Sequence, residues 1–234
     1  MKKLILTVIL SLILPLSVLA ERERYIDKEF NFSKVKTVLL ASPKYTDQVS
    51  DIKERELTDT FFTTLAKMKN FKVVTPKEVI AALEAKENIS FKEFAKQDEQ
   101  KAHSMFLEEA KNHADMVVFT NVFTYTTGMQ RVEATQTQVP TTTTSRIYTP
   151  NGVVRVYTRG TTTHTIPAHY ELALYVGVRF DAVSVNDYET PVISIIDNRG
   201  KLATSLGRKT PDKMYLRVLK SFLDEMNGLP VKKA

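Results

Sequence analysis

The stretch Leu172-Ala173-Leu174-Tyr175-Val176-Gly177-Val178-Arg179-Phe180-Asp181-Ala182 decides the fold. Leu172, Leu174, Val176, Val178, Phe180 and Ala182 alternate with the residues between them, the two-residue period of a strand. Asn186-Asp187 is a turn region, and the isoleucine-rich run 191–197 reads as a second strand, so the two form an antiparallel hairpin. Beyond it, Thr210-Pro211-Asp212 opens a helix with an apolar face of Tyr215, Val218, Leu219, Phe222 and Met226. Asn227-Gly228 ends that helix.

Upstream, strands alternate with helices. Residues 35–41 are β-branched and apolar and stop before Pro43, as a buried strand does. Residues 51–69 read as a helix, with Leu57, Phe61, Leu65 and Met68 on one face and Ser50 at the N-cap. Residues 71–74 form a short strand. Thr75-Pro76-Lys77-Glu78 is a capping box with proline at the first helical position, and Val79, Ile80 and Leu83 give that helix its apolar side. Ser90 with Glu93 repeats the box and opens a charged helical stretch to about residue 112, buried through Phe91, Phe94, Met105, Phe106 and Ala110. Asp98-Glu99-Gln100 marks a break within it. Residues 115–123 are a clear strand. The order predicts a mixed α/β (α+β) fold: a three-layer-like mixed sheet with flanking helices, an inserted Thr-rich β-hairpin and a C-terminal helix.

Between Thr124 and Thr165 the chain is dense in threonine. Threonine is β-branched, and Pro150-Asn151-Gly152 is a turn signal, so this stretch reads as a β-hairpin over about 126–166 rather than a low-complexity loop. A two-residue turn at Asn151-Gly152 sets Tyr148 opposite Arg155, Ile147 opposite Val156 and Arg146 opposite Tyr157. Ile147, Val154 and Val156 then share one face, and Arg146, Tyr148, Arg155, Tyr157 and Arg159 the other.

The chain begins with Lys2-Lys3, an apolar run to Leu14, Pro15, and Val18-Leu19-Ala20 before the charged Glu21-Arg22-Glu23-Arg24. This is the three-part pattern of a secretory signal peptide, residues 1–20, followed by one α/β domain over 21–234. The run 4–20 contains Thr7, Ser11, Pro15 and Ser17 and falls short of the about 20 mostly apolar residues of a spanning helix. Export to the periplasm or cell envelope follows. Cysteine is absent, which excludes disulfides, thiolate metal sites and a cysteine nucleophile. The net charge is +6; without Lys2 and Lys3, 31 basic residues face 27 acidic ones, a mature charge of +4 that permits an anionic partner without demanding one.

Three segments carry a family resemblance: VKTVLLASP at 35–43, FKVVTPKEVIAAL at 71–83 and AKNHADMVVF at 110–119. With a long β-hairpin and a terminal helix, they resemble the α/β domain family shared by the N-terminal domain of TolB and the curli-secretion channel lipoprotein. The resemblance implies a fold and an envelope setting more than an activity. Thr120-Asn121 stands where such domains usually place a glycine, and the cysteine that is lipidated in many relatives is missing. The inserted hairpin offers only Ile147, Val154 and Val156 as an apolar side, less than the 9–11 residues of sustained alternation in a membrane-barrel strand, so a pore is not expected.

No nucleophile elbow, phosphate-cradling loop or His-Glu-x-x-His occurs, and only 7 glycines are present. Ser50–Lys53 and Ser33–Lys36 match Ser-x-x-Lys, but no Ser-Asp-Asn or Lys-Thr-Gly partner follows; capping accounts for Ser50 better. His164 and His169 flank Thr-Ile-Pro-Ala and, five apart on a strand, point to opposite faces; surface histidines are favoured over a metal pair. Asp181, Asp187, Glu189 and Asp197 gather around one hairpin and read as turn-forming and solvated acids. The expectation is therefore a non-catalytic envelope module without cofactor or metal. Its contact residues would be Arg146, Tyr148, Arg155, Tyr157 and Arg159. The partners that fit are an envelope protein or an anionic envelope polymer, not nucleic acid; peripheral membrane contact and self-association are compatible with it. The alternatives are an oligomeric secretion-channel-like component and an envelope hydrolase.

Overall fold

In the computed structural model, residues 20–47, 49–149, 152–202 and 210–230 are described, with backbone alone for 20, 141–149, 152–158 and 202. The expected signal segment, apart from the backbone of Ala20, lies outside the described residues.

The alternating stretch is the central strand of a mixed seven-stranded sheet. Strand β8 (His169–Ser184) pairs antiparallel with β5 (Met116–Val132) on one side and β9 (Asp187–Leu202) on the other. Strand β2 (Thr37–Leu40) lies parallel to β5 and to β4 (Lys72–Val74), because helices carry the chain back between them. The order is β1-β9-β8-β5-β2-β4, with β1 spanning Ala20–Ile26; the two-residue β3 (Lys44–Tyr45) pairs with β5 farther along. Asp115 ties the entry of β5 to β2: its carboxylate accepts from the backbone N–H groups of Lys36 at 2.8 Å and Thr37 at 2.9 Å.

Helices cover both faces. Helix α1 (Asp51–Leu65) and α5 (Pro211–Gly228) bury Leu57, Phe61, Tyr215, Leu219 and Phe222 against Val118, Val178, Phe180 and Ile195. Phe180 and Phe222 stack with centroids 4.1 Å apart. On the opposite face, α2 (Pro76–Glu87) and α4 (Glu99–His113) pack Val79 and Ala110 on Leu39, Val117 and Val183. Alternate residues of β2 therefore serve both cores, which is why its run is apolar without a break.

The helix ends follow their local chemistry. Glu78 reaches back to the Thr75 N–H at 2.6 Å, closing the expected capping box. Asn88 ends α2 in the left-handed region at φ 54°. Helix α3 (Phe91–Gln97) starts differently from expectation: Ser90 makes no side-chain cap, and the Glu84 carboxylate accepts the Phe91 N–H at 2.8 Å instead. The break expected near Asp98 is the boundary between α3 and α4, where Asp98 caps Lys101 N–H at 2.9 Å. Ser50 occupies the N-cap of α1 without a side-chain bond, and α1 stops at Leu65, short of residue 69.

Three elements depart from the sequence reading. Strand β1 was not expected, since Glu21-Arg22-Glu23-Arg24 has no apolar side. It forms an edge strand because Arg22 and Arg24 reach Glu225 of α5 at 3.0 and 2.9 Å. Strand β5 continues to Val132 instead of ending near residue 123, and β8 follows it outward to His169. The threonine-rich stretch forms the expected hairpin, but its strands, β6 (Thr135–Thr149) and β7 (Gly152–Ile166), begin at Thr135 rather than about 126 and make a two-stranded sheet of their own.

Candidate functional site

The arm begins where the helical layers stop covering β5 and β8. No residue of β5 beyond Val122 is buried, nor any residue of β8 before Ala173. A register shift between Val122 and Thr124 marks the transition, and Phe123 lies over Gly177 of β8. A β-carbon at Gly177 would stand 2.4 Å from the Phe123 ring, so glycine there is a packing requirement. Two residues on, the Tyr125 hydroxyl donates to Asp212 Oδ1 at 2.5 Å, and Lys53 Nζ meets the same oxygen at 2.7 Å. The first turn of α5 is thus bonded to the root of the arm and to α1. Burial, and then the neighbouring carboxylate, push the Tyr125 hydroxyl well above its ordinary pKa. Burial pushes Asp212 up, but the bonds from Lys53 and Tyr125 outweigh it and the net shift is down.

Outward from this node the ladder exposes apolar side chains. Met129 pairs with Leu172, and Tyr170 with Arg131; Met129, Leu172 and Tyr170 are all exposed. Val139 and Ile166 are exposed on the separate hairpin.

The hairpin register is a correction. Thr149 pairs with Gly152, so Gly152 belongs to the ladder and not to an Asn151-Gly152 turn, and the register differs by two from the expected one. Arg146 therefore stands opposite Arg155, Tyr148 opposite Val153, Tyr157 opposite Thr144, and Arg159 opposite Thr142. None of the expected Arg–Tyr pairs is directly opposed. Proline supplies the reason: it has no N–H for a ladder, and its fixed φ suits the first position of a turn. A shift of two residues keeps strand parity, so Arg146, Tyr148, Arg155, Tyr157 and Arg159 still occupy positions of one parity. Arg159 is exposed; of the side chains of the other four nothing is described.

The remaining candidates are dispersed into structural bonds. Asp181 accepts from Arg179 Nε and Ser194 Oγ, each at 2.7 Å. Asp197, only 3% exposed, takes two bonds from Arg199 at 2.7 and 2.6 Å. Asp187 accepts the N–H groups of Glu189 and Thr190 in the β8–β9 turn, which holds its carboxyl below the usual range. The four acids of that hairpin are therefore not one constellation. His169 bonds the Pro167 carbonyl at 2.9 Å and Glu171 at 2.8 Å, and both raise its pKa, the carbonyl first. Glu171, two residues along the same strand, is the partner that sequence reasoning missed. His164 stands exposed opposite Thr137, apart from His169. Lys53 of the Ser-x-x-Lys match is held by Asp212 and Glu56. Among the described residues no group of three metal-capable side chains is found, and no helix is long and apolar enough to cross a membrane.

No family model and no curated protein matches the chain. Among solved structures, a PelC dodecamer from Paraburkholderia phytofirmans is 12% identical, covering 90% of this chain and 99% of its own at a TM-score of 0.42. A single-substitution variant of that dodecamer is 9% identical, covering 92% and 99% at the same TM-score. Both are PelC chains rather than TolB or the curli channel. The overlap lies below the range of shared folds and bears on neither fold nor function.

Proposed function

We propose that this chain is an exported, non-catalytic binding or assembly module of the cell envelope, resembling TolB N-terminal-like domains, which works through its threonine-rich arm. One observation carries the reading. The β5–β8 ladder continues past the last helical cover, exposes Met129, Tyr170 and Leu172, and leads into a hairpin of 15 residues per strand. A two-stranded hairpin is marginal alone in water, and long unpaired edges are a hazard that chains keep only for a use. Export rests on the signal pattern of residues 1–20, and the envelope setting on that pattern with the resemblance at 35–43, 71–83 and 110–119.

The test is arm removal. Val132 pairs with His169, so replacing residues 133–168 by Asn-Gly closes the ladder with a two-residue turn. Photo-crosslinking in living cells from exposed Tyr170, which both chains keep, should trap an envelope component with the full chain and none with the shortened chain, which should melt at an unchanged temperature. Equal capture without the arm would overturn the reading.

A second reading, an oligomeric secretion-channel-like component, is favoured by the open edges. Strands of 15 residues exceed the 9–11 that cross a bilayer, so hairpins of neighbouring copies could close one another's edges. Light scattering on chain from soluble and membrane fractions separates the readings: a ring of many subunits in the membrane fraction favours the channel, and a soluble monomer or dimer the binding module. The hydrolase alternative has no motif in its favour, and an esterase and peptidoglycan-cleavage screen on the exported chain decides it.

A further inference from the structure

The β6–β7 hairpin at the end of the arm carries arginine as its charged residue type. No aspartate, glutamate or lysine stands between Ala134 and Tyr170, although the chain has 27 acidic residues and lysine outnumbers arginine over its length. Arg146, Arg155 and Arg159 are thus the formal charges of the hairpin. The observed register makes this arrangement costly in isolation, because Arg146 and Arg155 are directly opposed. Like charges at opposed positions destabilise a ladder, and a ribbon of two strands has little stability to spare. No acid within the hairpin offsets them, so an anion bound from outside would relieve the opposition.

Ladder parity shows what kind of anion fits. Tyr148, Arg146, Arg155, Tyr157 and Arg159 hold positions of one parity. Val139, Ile147, Val154, Val156 and Ile166 hold the other, and Val139 and Ile166 are exposed. One parity holds these five apolar positions among threonines, and the other holds the arginines and tyrosines with Pro140 and Val153; this bias of apolar against basic and aromatic positions suits an element lying in a bilayer interface. Guanidinium groups bind phosphate in bidentate geometry, and tyrosine favours the headgroup level. A soluble polyanion would satisfy the arginines but leave the apolar positions in water.

We propose that β6 and β7 lie in the headgroup plane of an anionic phospholipid surface, the ladder parity of Val139 and Ile166 forming the acyl side and the parity of Arg159 the phosphate side. This rests on reading the arm as the contact element, and it names the partner as lipid.

The experiment is co-sedimentation of the mature chain with phosphatidylcholine vesicles and with vesicles of equal phosphatidylcholine and phosphatidylglycerol. The chain should bind the anionic vesicles and not the neutral ones, and rising salt should weaken binding. Arg146→Gln, Arg155→Gln and Arg159→Gln together should weaken it about 100-fold, from about one basic-residue increment each. Val139→Ser with Ile166→Ser, at exposed positions that leave the core intact, should weaken binding while keeping its salt dependence. Three results would overturn the proposal: no preference for anionic vesicles, full binding by the triple variant, or retention on an alginate column with no vesicle binding, which assigns the arm to a polymer. Should vesicles be ignored while arm-dependent crosslinks to an envelope protein persist, the lipid assignment fails and the contact-module reading stands.

Discussion

Gly177→Ala tests the packing that launches the arm. Gly177 sits in an ordinary strand between Thr124 of β5 and Asn198 of β9, so alanine meets no backbone obstacle there. By itself the change would stabilise the strand by about 0.5–1 kcal/mol through reduced unfolded-state freedom. The new β-carbon, however, would stand 2.4 Å from Phe123 Cε2 and 2.6 Å from Cζ. Overpacking of this kind costs about 1–3 kcal/mol. Phe123 is 39% exposed and can swing outward, which places the cost at about 1.5 kcal/mol, in the lower half of that range, and converts it into lost ring burial. The expected net effect is a loss of about 1 kcal/mol. In a Phe123→Ala background the obstacle is gone, and Gly177→Ala should become neutral or stabilising by about 0.5 kcal/mol. Urea unfolding followed by circular dichroism on the four chains of the cycle gives the coupling, expected at about 1.5 kcal/mol. An equal effect of Gly177→Ala in both backgrounds would show that the ring does not rest on the glycine, and the account of the bulge would fail.

Two further outcomes follow from the core and the arm root. Phe222→Ala removes a fully buried ring stacked on Phe180 and should cost about 3–5 kcal/mol, a large share of a domain's usual stability, read from the urea midpoint; a loss under about 1 kcal/mol would contradict the stacked core. Asp212 has a folded pKa below its unfolded value, so its contribution is present above the unfolded carboxylate pKa of about 3.9 and is lost as pH falls through the lower folded value. Its side chain is 49% exposed, which limits the effect to under about 1 kcal/mol; Asp212→Asn should lower the urea midpoint more at pH 7 than at pH 3, and a gap that does not shrink in acid would refute the linkage.

The legible parts of this fold are those whose partners are apolar and near in sequence. Strand β8 and helix α5 declare themselves by period alone, and the division between α3 and α4 is visible at Asp98 because a capping side chain interrupts an otherwise helical run. Strand β1 was illegible for the opposite reason. Its Arg22 and Arg24 are stabilised by Glu225, some two hundred residues away, and alternating glutamate and arginine give no hydrophobic period. The outer half of β5 was hidden differently: Thr124, Tyr125, Thr126 and Thr127 show no apolar alternation, and pairing with Gly177, Val176, Tyr175 and Leu174 makes them a strand.

At the candidate site, sequence reasoning found the hairpin, its faces and its arginines, but not their pairing. Asn-Gly is the stronger two-residue turn by preference, which is why the expected connection fell at Asn151-Gly152. That choice would have placed Pro150 in the ladder as its last residue, where it has no hydrogen to donate; ending the ladder at the Thr149–Gly152 pair moves the register by two. A shift of one would have exchanged the two faces, whereas a shift of two preserves them and changes only who stands opposite whom. The consequence is chemical. The expected register set Arg146 opposite Tyr157 and Arg155 opposite Tyr148, while the observed one opposes Arg146 to Arg155, a like-charge pair that weakens the ladder.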